Sequence, residues 1–298
     1  MHLQNYEELA EAIKGRGAKR IMLQLPDGLK MKAAGICEFL EKSGLDVMLS
    51  NDTTYGACDL ADTEAKRTGC DLLVHIGHSK FYVDFETDVP VLYYIWPEKI
   101  DVSGADFSAI KEKRIGIMTS IQHMEILTDV KKMLESQGKE ALIGGQILGC
   151  WTTNADKIED KVDAFLFVGS GEFHPLALKG KNVYKLDIER GEIDAVDIEK
   201  FQKLRYGSVF RAKDAMTFGI LVSSKKGQKE LLAKAGDIKA RLEQRNKKAL
   251  IIVMNEITDD KLMGLKVDAF INTACPRITD MPFSKPMINA DDIDLLED

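Results

Sequence analysis

The chain of 298 residues has few cysteines and no long apolar run. No stretch approaches the roughly 18 apolar residues of a membrane-spanning helix. The first residues, MHLQNYEELAEAIKGRG, have no apolar core of the kind that signal peptides carry. We therefore expect a globular cytoplasmic protein with no membrane partner. The five cysteines are odd in number and not closely paired, which excludes a disulfide framework and leaves free, catalytic or metal-bound thiols.

Positive charge is not in excess. The formal net charge of −7 argues against direct binding of nucleic acid, because phosphate contacts favour a basic surface. An acidic surface suits a basic protein partner, but it is equally typical of any soluble protein. With 45% apolar residues, the chain can bury sizeable cores in two or three domains.

One pattern occurs three times: a short apolar strand, an amphipathic helix and further strands. The opening strands are predicted at 20–26, 114–120 and 217–224. The helices that follow carry apolar stripes, such as Leu127, Val130 and Leu134. The other predicted strands are 45–50, 71–77, 90–96, 141–148, 163–169, 182–188, 249–254 and 268–273.

This alternation of strands and helices favours an α/β fold with parallel sheets and right-handed crossovers. Each third strand starts with aspartate and continues through apolar residues, which is typical of a parallel strand buried on both faces. We predict three repeated small parallel-sheet α/β units, 1–98, 99–188 and 189–298, arranged around a pseudo-threefold axis. Three unrelated domains are the alternative.

Three cysteines fall at predicted strand ends. Cys58 and Cys150 follow the second strands of the first and second units, and Cys275 follows the third strand of the third. The carboxyl ends of parallel strands form the ligand-binding edge, so three thiols could meet at the centre. Thiolates suit zinc or an iron–sulfur cluster, and their wide spacing excludes a zinc finger. Cys37 and Cys70, in a helix and before a strand, are interpreted as packing residues.

Three thiolates for a cluster of four irons leave one iron open to a substrate. Any one of these loop cysteines could instead be a small packing residue. Backbone N–H groups at the helix starts after the first strands could bind a carboxylate, and glycine permits close backbone approach. The candidate cofactor-binding residues are Pro26, Asp27, Gly28, Ser120, Gly169, Ser170 and Gly171.

Two histidines, His78 and His174, follow equivalent third strands. They are the candidate catalytic residues, although a loop histidine bonded to a backbone carbonyl is the alternative. His75 lies inside a strand and is predicted to be a core residue. Trp151 could shield a cluster or simply pack. The basic run 224–229 is interpreted as a solvated helix start rather than a partner surface.

Several motifs span nearly the whole chain in order: 24-QLPDGLK-30, 55-YGACDLAD-62, 74-VHIGHS-79, 149-GCWTTNA-155, 172-EFHPLAL-178, 205-RYGSVFRAKDA-215 and 271-INTACPRI-278. Together they resemble a known family, the archaeal diphthamide-biosynthesis 2-(3-amino-3-carboxypropyl)histidine synthases. These are radical S-adenosylmethionine enzymes that modify elongation factor 2. In such an enzyme His78 or His174 could orient the cofactor or the incoming imidazole, and Trp151 could stack on adenine.

The resemblance implies a homodimer in which Cys58, Cys150 and Cys275 of each chain hold a 4Fe–4S cluster, with S-adenosylmethionine at the open iron. An external donor reduces the cluster. The bond from sulfur to Cγ is then cleaved, the 3-amino-3-carboxypropyl group adds to C2 of a histidine of elongation factor 2, and methylthioadenosine leaves. Like that family, this sequence lacks the C-x3-C-x2-C loop of ordinary radical enzymes that use this cofactor.

Two other functions fit parts of the pattern. Quinolinate synthase resembles the same threefold arrangement with a three-cysteine cluster, but it condenses small metabolites without S-adenosylmethionine. The N-T-A-C-P-R and R-Y-G segments favour the histidine-modifying family over it. A non-catalytic α/β scaffold with cysteines that only pack is the third possibility, and a colourless protein after anaerobic purification would indicate it.

Overall fold

The computed structural model describes residues 3–96, 100–228 and 231–296, and the strands in these ranges form three sheets. In the first sheet the order is β2-β1-β3-β4, and every pair is parallel. Its strands are β1 Arg20–Gln24, β2 Asp46–Ser50, β3 Leu72–Ile76 and β4 Val91–Tyr94. These strands confirm the four predicted for the first block.

The second sheet has the order β6-β5-β7-β8-β9. Its first four strands are parallel, and β9 folds back to pair antiparallel with β8. The strands are β5 Arg114–Thr119, β6 Glu140–Gln146, β7 Ala164–Val168, β8 Asn182–Asp187 and β9 Glu192–Ala195. The antiparallel strand was not predicted, because its four residues, EIDA, carry little apolar signal.

The third sheet repeats the order of the first, β11-β10-β12-β13, with all pairs parallel. Its strands are β10 Thr217–Ser223, β11 Lys248–Met254, β12 Ala269–Asn272 and β13 Met287–Asn289. The sequence predicted no fourth strand here, because β13 has only three residues. The same order in all three sheets confirms the α/β class with three repeated parallel-sheet units.

The α-helices are α1 Leu3–Lys14, α2 Ala33–Lys42, α3 Asp62–Arg67, α4 Leu127–Ser136, α5 Thr153–Asp156, α6 Ile198–Ala212, α7 Leu231–Gln244 and α8 Asp259–Leu262. Most of the helices connect parallel strands of one sheet as crossovers, whereas α1 precedes β1 and α6 lies between β9 and β10. The long helix α6 was not predicted, because only Val209 and Ala212 on it are buried and its apolar stripe is short. Among the described residues, no helix is long and apolar enough to cross a membrane.

Each sheet buries apolar side chains against its own helices. In the first core, Leu9 of α1 and Leu40 of α2 pack with Leu23 of β1 and Val74 of β3, all without solvent exposure. Burying one such side chain contributes roughly 1.5–3 kcal/mol. The third strands β3, β7 and β12 are buried along their whole length, which is what the apolar runs predicted.

The aspartate that starts each third strand has a structural role. Asp71 Oδ2 accepts hydrogen bonds from the backbone N–H groups of Lys19 and Arg20, both at 2.9 Å. Asp163 and Asp268 do the same to the first residues of β5 and β10, at 3.1 and 2.8 Å. These carboxylates therefore tie the third strand of each sheet to the start of its first strand.

The described chain divides into two compact units. The first comprises the residues up to 96 together with Lys225–Gly227, and the second comprises the remainder. The predicted boundary at 98 and 99 lies outside the described residues. The second sheet continues past the predicted boundary at 188, because β9 pairs with β8. The division into three domains stays a prediction.

Candidate functional site

The Cys58 loop connects β2 to α3 in the first unit. Cys58 lies in a turn that the Asp59 N–H closes on the Gly56 carbonyl at 3.0 Å. Gln24 lies at the end of β1 and is 2% exposed. Its side-chain amide makes two hydrogen bonds to the backbone just after Cys58. Its Nε2 donates to the Asp59 carbonyl at 2.9 Å, and its Oε1 accepts from Ala61 N–H at 3.2 Å. A buried amide therefore holds the backbone beside the cysteine.

A chain of hydrogen bonds continues from Gln24 to two histidines. His75 Nδ1 lies 2.9 Å from Gln24 Oε1, and His75 Nε2 lies 3.0 Å from His78 Nδ1. The hydrogen bond from Ala61 N–H fixes the orientation of the Gln24 amide, with its oxygen towards Ala61 and His75. Because that oxygen can only accept, His75 Nδ1 must donate. Neutral His75 then accepts at Nε2 from His78 Nδ1–H. This order leaves His78 Nε2 with a lone pair.

Both rings are neutral near pH 7. Burial lowers the pKa of His75 to about 3 and that of His78 to about 4. His75 is a core residue as predicted, and it also joins His78 to the amide behind the Cys58 loop. The sequence indicated this hydrogen-bonded pair by placing a polar residue in the last two positions of an otherwise apolar strand, Gln24 in β1 and His75 in β3.

The basic run 224–229 was interpreted as a solvated helix start, and a short 3-10 helix does begin there, at Lys226–Gln228. The lysines before and in it are not simply solvated, because both are partly buried and paired with carboxylates. Lys226 Nζ lies 2.7 Å from Asp62 Oδ2 and 2.5 Å from Asp88 Oδ2. Lys225 pairs with Asp59, the neighbour of Cys58, and its Nζ lies 4.7 Å from the Tyr55 ring centre. Lys229 lies outside the described residues.

Cys150 occupies a tight turn in the second unit. Leu148 and Trp151 close this turn with two backbone hydrogen bonds of 2.8 and 3.1 Å. Gly149 is buried, and a Cβ atom placed on it would lie 2.7 Å from the Phe173 ring and 2.9 Å from the Phe173 carbonyl. Glycine is therefore required where this loop meets the loop of His174. The Cys150 side chain itself is exposed.

Cys275 follows β12, and a second buried amide holds its backbone. Asn272 Nδ2 donates to the Cys275 carbonyl at 2.9 Å, and Asn272 Oδ1 accepts from Ala274 N–H at 3.0 Å. Asn289 of β13 accepts from Asn272 at 2.8 Å and donates to the Pro276 carbonyl at 3.1 Å. The N-T-A-C-P sequence is thus a strand end followed by a bonded loop, with Pro276 starting a short 3-10 helix.

The pKa of the Cys275 thiol reflects its surroundings, which include Cys150 of the same unit. Burial raises the pKa of the Cys275 thiol to about 11, the Arg277 amide lowers it, and the nearby Cys150 thiolate raises it further. The Arg277 side chain is 9% exposed, pairs with Asp280 at 3.0 Å and lies 5.5 Å from the Phe201 ring centre. A partly buried thiol that responds to a second thiol fits a soft metal group, because metal binding displaces the thiol proton.

His174 contacts two aromatic rings at the end of the second sheet. Its ring lies edge-on to Phe173, with centroids 5.0 Å apart, and 5.7 Å from Phe167. Gly169 has φ 154°, and a Cβ atom there would lie 2.8 Å from the Phe167 ring. The backbone conformation and the ring contact together therefore explain glycine at this position. Ser170 and Gly171 are exposed.

The turns after the first strands are 3-10 helices, not the starts of α-helices. They span Asp27–Lys32 and Ile121–Ile126, with Pro26 and Ser120 immediately before them. Gly28 lies in the first of these turns. A role for these residues in carboxylate binding stays a prediction.

The candidate ligands are distributed over both units. Cys58 belongs to the first unit, and Cys150 and Cys275 belong to the second. Within the described ranges, no group of three or more His, Cys, Asp or Glu side chains is spaced to hold a metal ion. The amides Gln24, Asn272 and Asn289 were not predicted as site residues, although their places at strand ends could have indicated them.

Fold and site together define a class: α/β proteins of three repeated sheets with cysteine loops at strand carboxyl ends. The family of diphthamide synthesis proteins matches residues 25–296, and this chain belongs to that family. It is 35% identical to the 2-(3-amino-3-carboxypropyl)histidine synthase of Pyrococcus horikoshii, covering 97% of this chain and 89% of that protein. Subunit 1 of the Caenorhabditis elegans synthase is 31% identical over 93% of this chain and 75% of its own length.

Solved structures give the same result. Dph2 from Pyrococcus horikoshii matches with a TM-score of 0.87 at 35% identity, over 98% of this chain and 89% of that one. Its structure with a 4Fe–4S cluster matches with a TM-score of 0.88 at 36% identity, over the same shares. The expected family is therefore confirmed, and the 4Fe–4S cluster in the Dph2 structure is of the type that was expected for this family.

Proposed function

We propose that this protein transfers the 3-amino-3-carboxypropyl group of S-adenosylmethionine to C2 of a histidine of elongation factor 2. This reaction is the first step of diphthamide biosynthesis. It forms a carbon–carbon bond and releases methylthioadenosine and a proton. The observation that carries the proposal is the placement of Cys150 and Cys275 in hydrogen-bonded loops after strands β6 and β12, in a member of the diphthamide synthesis family.

In this proposal Cys58, Cys150 and Cys275 hold a 4Fe–4S cluster. When bound and reduced by an external donor, the cluster supplies an open iron and one electron for cleaving the bond from sulfur to Cγ. The protein contributes the placement of the thiols. Asn272 fixes the Cys275 backbone, and partial burial limits the access of water to this thiol.

His78 is proposed to orient a reacting group by accepting a hydrogen bond. The direction of the hydrogen bonds from Gln24 through His75 leaves His78 Nε2 as an acceptor. Such an acceptor suits an ammonium group or the N–H of an imidazole. Its depressed pKa keeps it neutral, so it does not repel a cationic cofactor. His174 is proposed as the corresponding residue in the second unit.

The proposed partners are elongation factor 2 as protein substrate, an external electron donor and a second copy of the chain as a homodimer in the cytoplasm. Pro26, Asp27, Gly28, Ser120, Gly169, Ser170 and Gly171 remain the proposed contacts for S-adenosylmethionine. The exposed position of Ser170 and Gly171 beside the β7 end supports this assignment, because both can be reached by a ligand.

An anaerobic assay tests the function. Reconstituted protein, dithionite, S-adenosylmethionine and elongation factor 2 from the same source are combined, and mass spectrometry follows the factor and the nucleosides. We expect one histidine to gain an aminocarboxypropyl group while methylthioadenosine is released. The Cys150→Ala variant should lose at least about 100-fold in rate, because it lacks a proposed ligand.

Cys70→Ala is the matched control. Cys70 is buried at 5% exposure, its Sγ lies 3.9 Å from Met48 Sδ, and it is a packing residue. It should keep wild-type activity with a stability loss of about 1 kcal/mol. A wild-type protein that binds a cluster but makes neither product would contradict the proposal and favour a quinolinate synthase-like reaction.

A further inference from the structure

Residues Lys225–Gly227 follow β10 of the third sheet, yet they pack within the first unit against the Cys58 loop. The closest approach is made by Gly227. A Cβ atom placed on this glycine would lie 2.6 Å from Cys58 Cα and 2.9 Å from both the Cys58 Cβ and its carbonyl oxygen. Since the contact is with the backbone of the cysteine, no side-chain rotation could relieve it.

Three ion pairs, made by its two lysines, hold this tripeptide in the first unit. The Lys225 and Asp59 side chains are only 11% and 13% exposed, and Asp59 is the residue after Cys58. Lys226 bonds Asp62, which is 1% exposed, and Asp88. The Lys225–Asp59 pair is shielded from water, so it interacts more strongly than a surface pair, and removing one partner leaves a buried charge.

The loop needs such support. Residues 51–61 between β2 and α3 contain no regular helix or strand, and an irregular segment of this length has many accessible conformations. Gln24 bonds the loop only after Cys58, at Asp59 and Ala61. The Gly227 contact acts on Cys58 itself.

We propose that Lys225–Gly227 is the positioning element of the Cys58 thiol, and that Gly227 is needed because any side chain there displaces the cysteine backbone. The inference rests on the proposed function in one respect, the assignment of Cys58 as a cluster ligand. It adds residues from the third repeat to the support of a ligand in the first.

Two pairs of variants test this. Gly227→Ala is compared with Gly236→Ala, a glycine in α7 whose added Cβ would meet nothing within 4 Å. Lys225→Gln is compared with Lys225→Arg, which restores the positive charge. After anaerobic reconstitution, the measurements are iron and sulfide per chain, the electron paramagnetic resonance spectrum of the reduced cluster, and its rate of loss to a chelator.

We expect Gly227→Ala to lose its cluster to the chelator at least about tenfold faster than wild type. Changes to groups that orient a metal ligand usually have an effect of this size. Its spectrum should differ from that of wild type, whereas Gly236→Ala should match wild type in both. Lys225→Gln should also lose the cluster faster, and Lys225→Arg should restore retention. A merely structural role would change the unfolding midpoint but not the spectrum of the cluster that remains.

Two results separate the possible failures. If Gly227→Ala keeps the wild-type spectrum and rate of cluster loss, the positioning role is wrong while the proposed function stands. If the glycine variant does not fold, the same result for Lys225→Gln leads to the same conclusion. If wild type itself takes up no cluster under these conditions, the proposed function fails, and this inference fails with it.

Discussion

At the scale of single residues, the cysteine loops depend on buried amide side chains. Gln24 and Asn272 are 2% and 1% exposed, positions at which an unbonded polar group would cost free energy. Each amide instead bonds the backbone just after or at a candidate ligand. A buried amide side chain thus fixes the backbone of a cysteine loop in both the first and the third repeat.

The histidine pair makes stability depend on pH. In the folded protein the pKa values of His75 and His78 are about 3 and about 4, below the ordinary 6.5. The unfolded chain therefore binds more protons than the folded chain once the pH falls below about 6.5. The free energy of unfolding should decrease as the pH falls from 6.5 to 4, by about 1.4 kcal/mol per pH unit for each histidine.

The variant His78→Asn tests this, because its unfolded chain binds one proton fewer at these two positions than wild type. Urea unfolding at several pH values between 7 and 4.5 should show a shallower decrease for the variant than for wild type. Above pH 7 the two curves should run parallel, which is the internal control. Equal slopes below pH 6.5 would show that His78 is protonated in the folded state.

At the scale of secondary-structure elements, one aspartate per repeat ties the third strand to the first. Hydrogen bonds from Thr217 lower the pKa of Asp268 below its usual value of 3.8. A carboxylate with a depressed pKa stabilises the fold above the unfolded pKa, and this contribution is lost as the pH falls through the folded pKa. The tie should therefore hold at neutral pH and fail only in acid.

Asp268→Ala should lower the urea midpoint at pH 7, because the N–H groups of Met216 and Thr217 lose their acceptor. Asp268→Asn should lower it less, since the amide oxygen still accepts. Asp214→Ala is the control, because Asp214 is an exposed aspartate two residues before Met216. A midpoint unchanged in Asp268→Ala would mean that water replaces the carboxylate without cost.

At the scale of the whole molecule, the proposed cluster should link binding to folding. Its ligands come from positions 58, 150 and 275, and metal binding to the folded chain but not to the unfolded chain stabilises the fold. Removing the cluster with a chelator under anaerobic conditions should lower the free energy of unfolding by about 3 kcal/mol or more.

Thermal unfolding of reconstituted and chelated protein measures this difference. The Cys58→Ala variant supplies the control, because chelation should have little further effect on a chain that holds its cluster weakly or not at all. Equal midpoints for the two forms of wild type would indicate that the cluster does not contribute to the stability of the fold.

The sequence by itself determined most of the elements and the repeat. Apolar runs and aspartates predicted the first three strands of every sheet, because periodicity and burial of a parallel strand are read from neighbouring residues. It also placed Cys58, Cys150 and Cys275 at strand ends. The short strands β9 and β13 escaped prediction, because their existence depends on a partner strand rather than on their own residues.

Only the tertiary structure decided how the Cys58 loop is held. Lys225 and Asp59 are 166 residues apart, and nothing in either local sequence indicates that they meet. The need for glycine at 227 likewise arises from the backbone of Cys58, far away in the chain. Such contacts depend on the path of the whole chain, whereas the strands depend on local patterns. The residues that bind a group can therefore be read from the sequence more readily than those that position them.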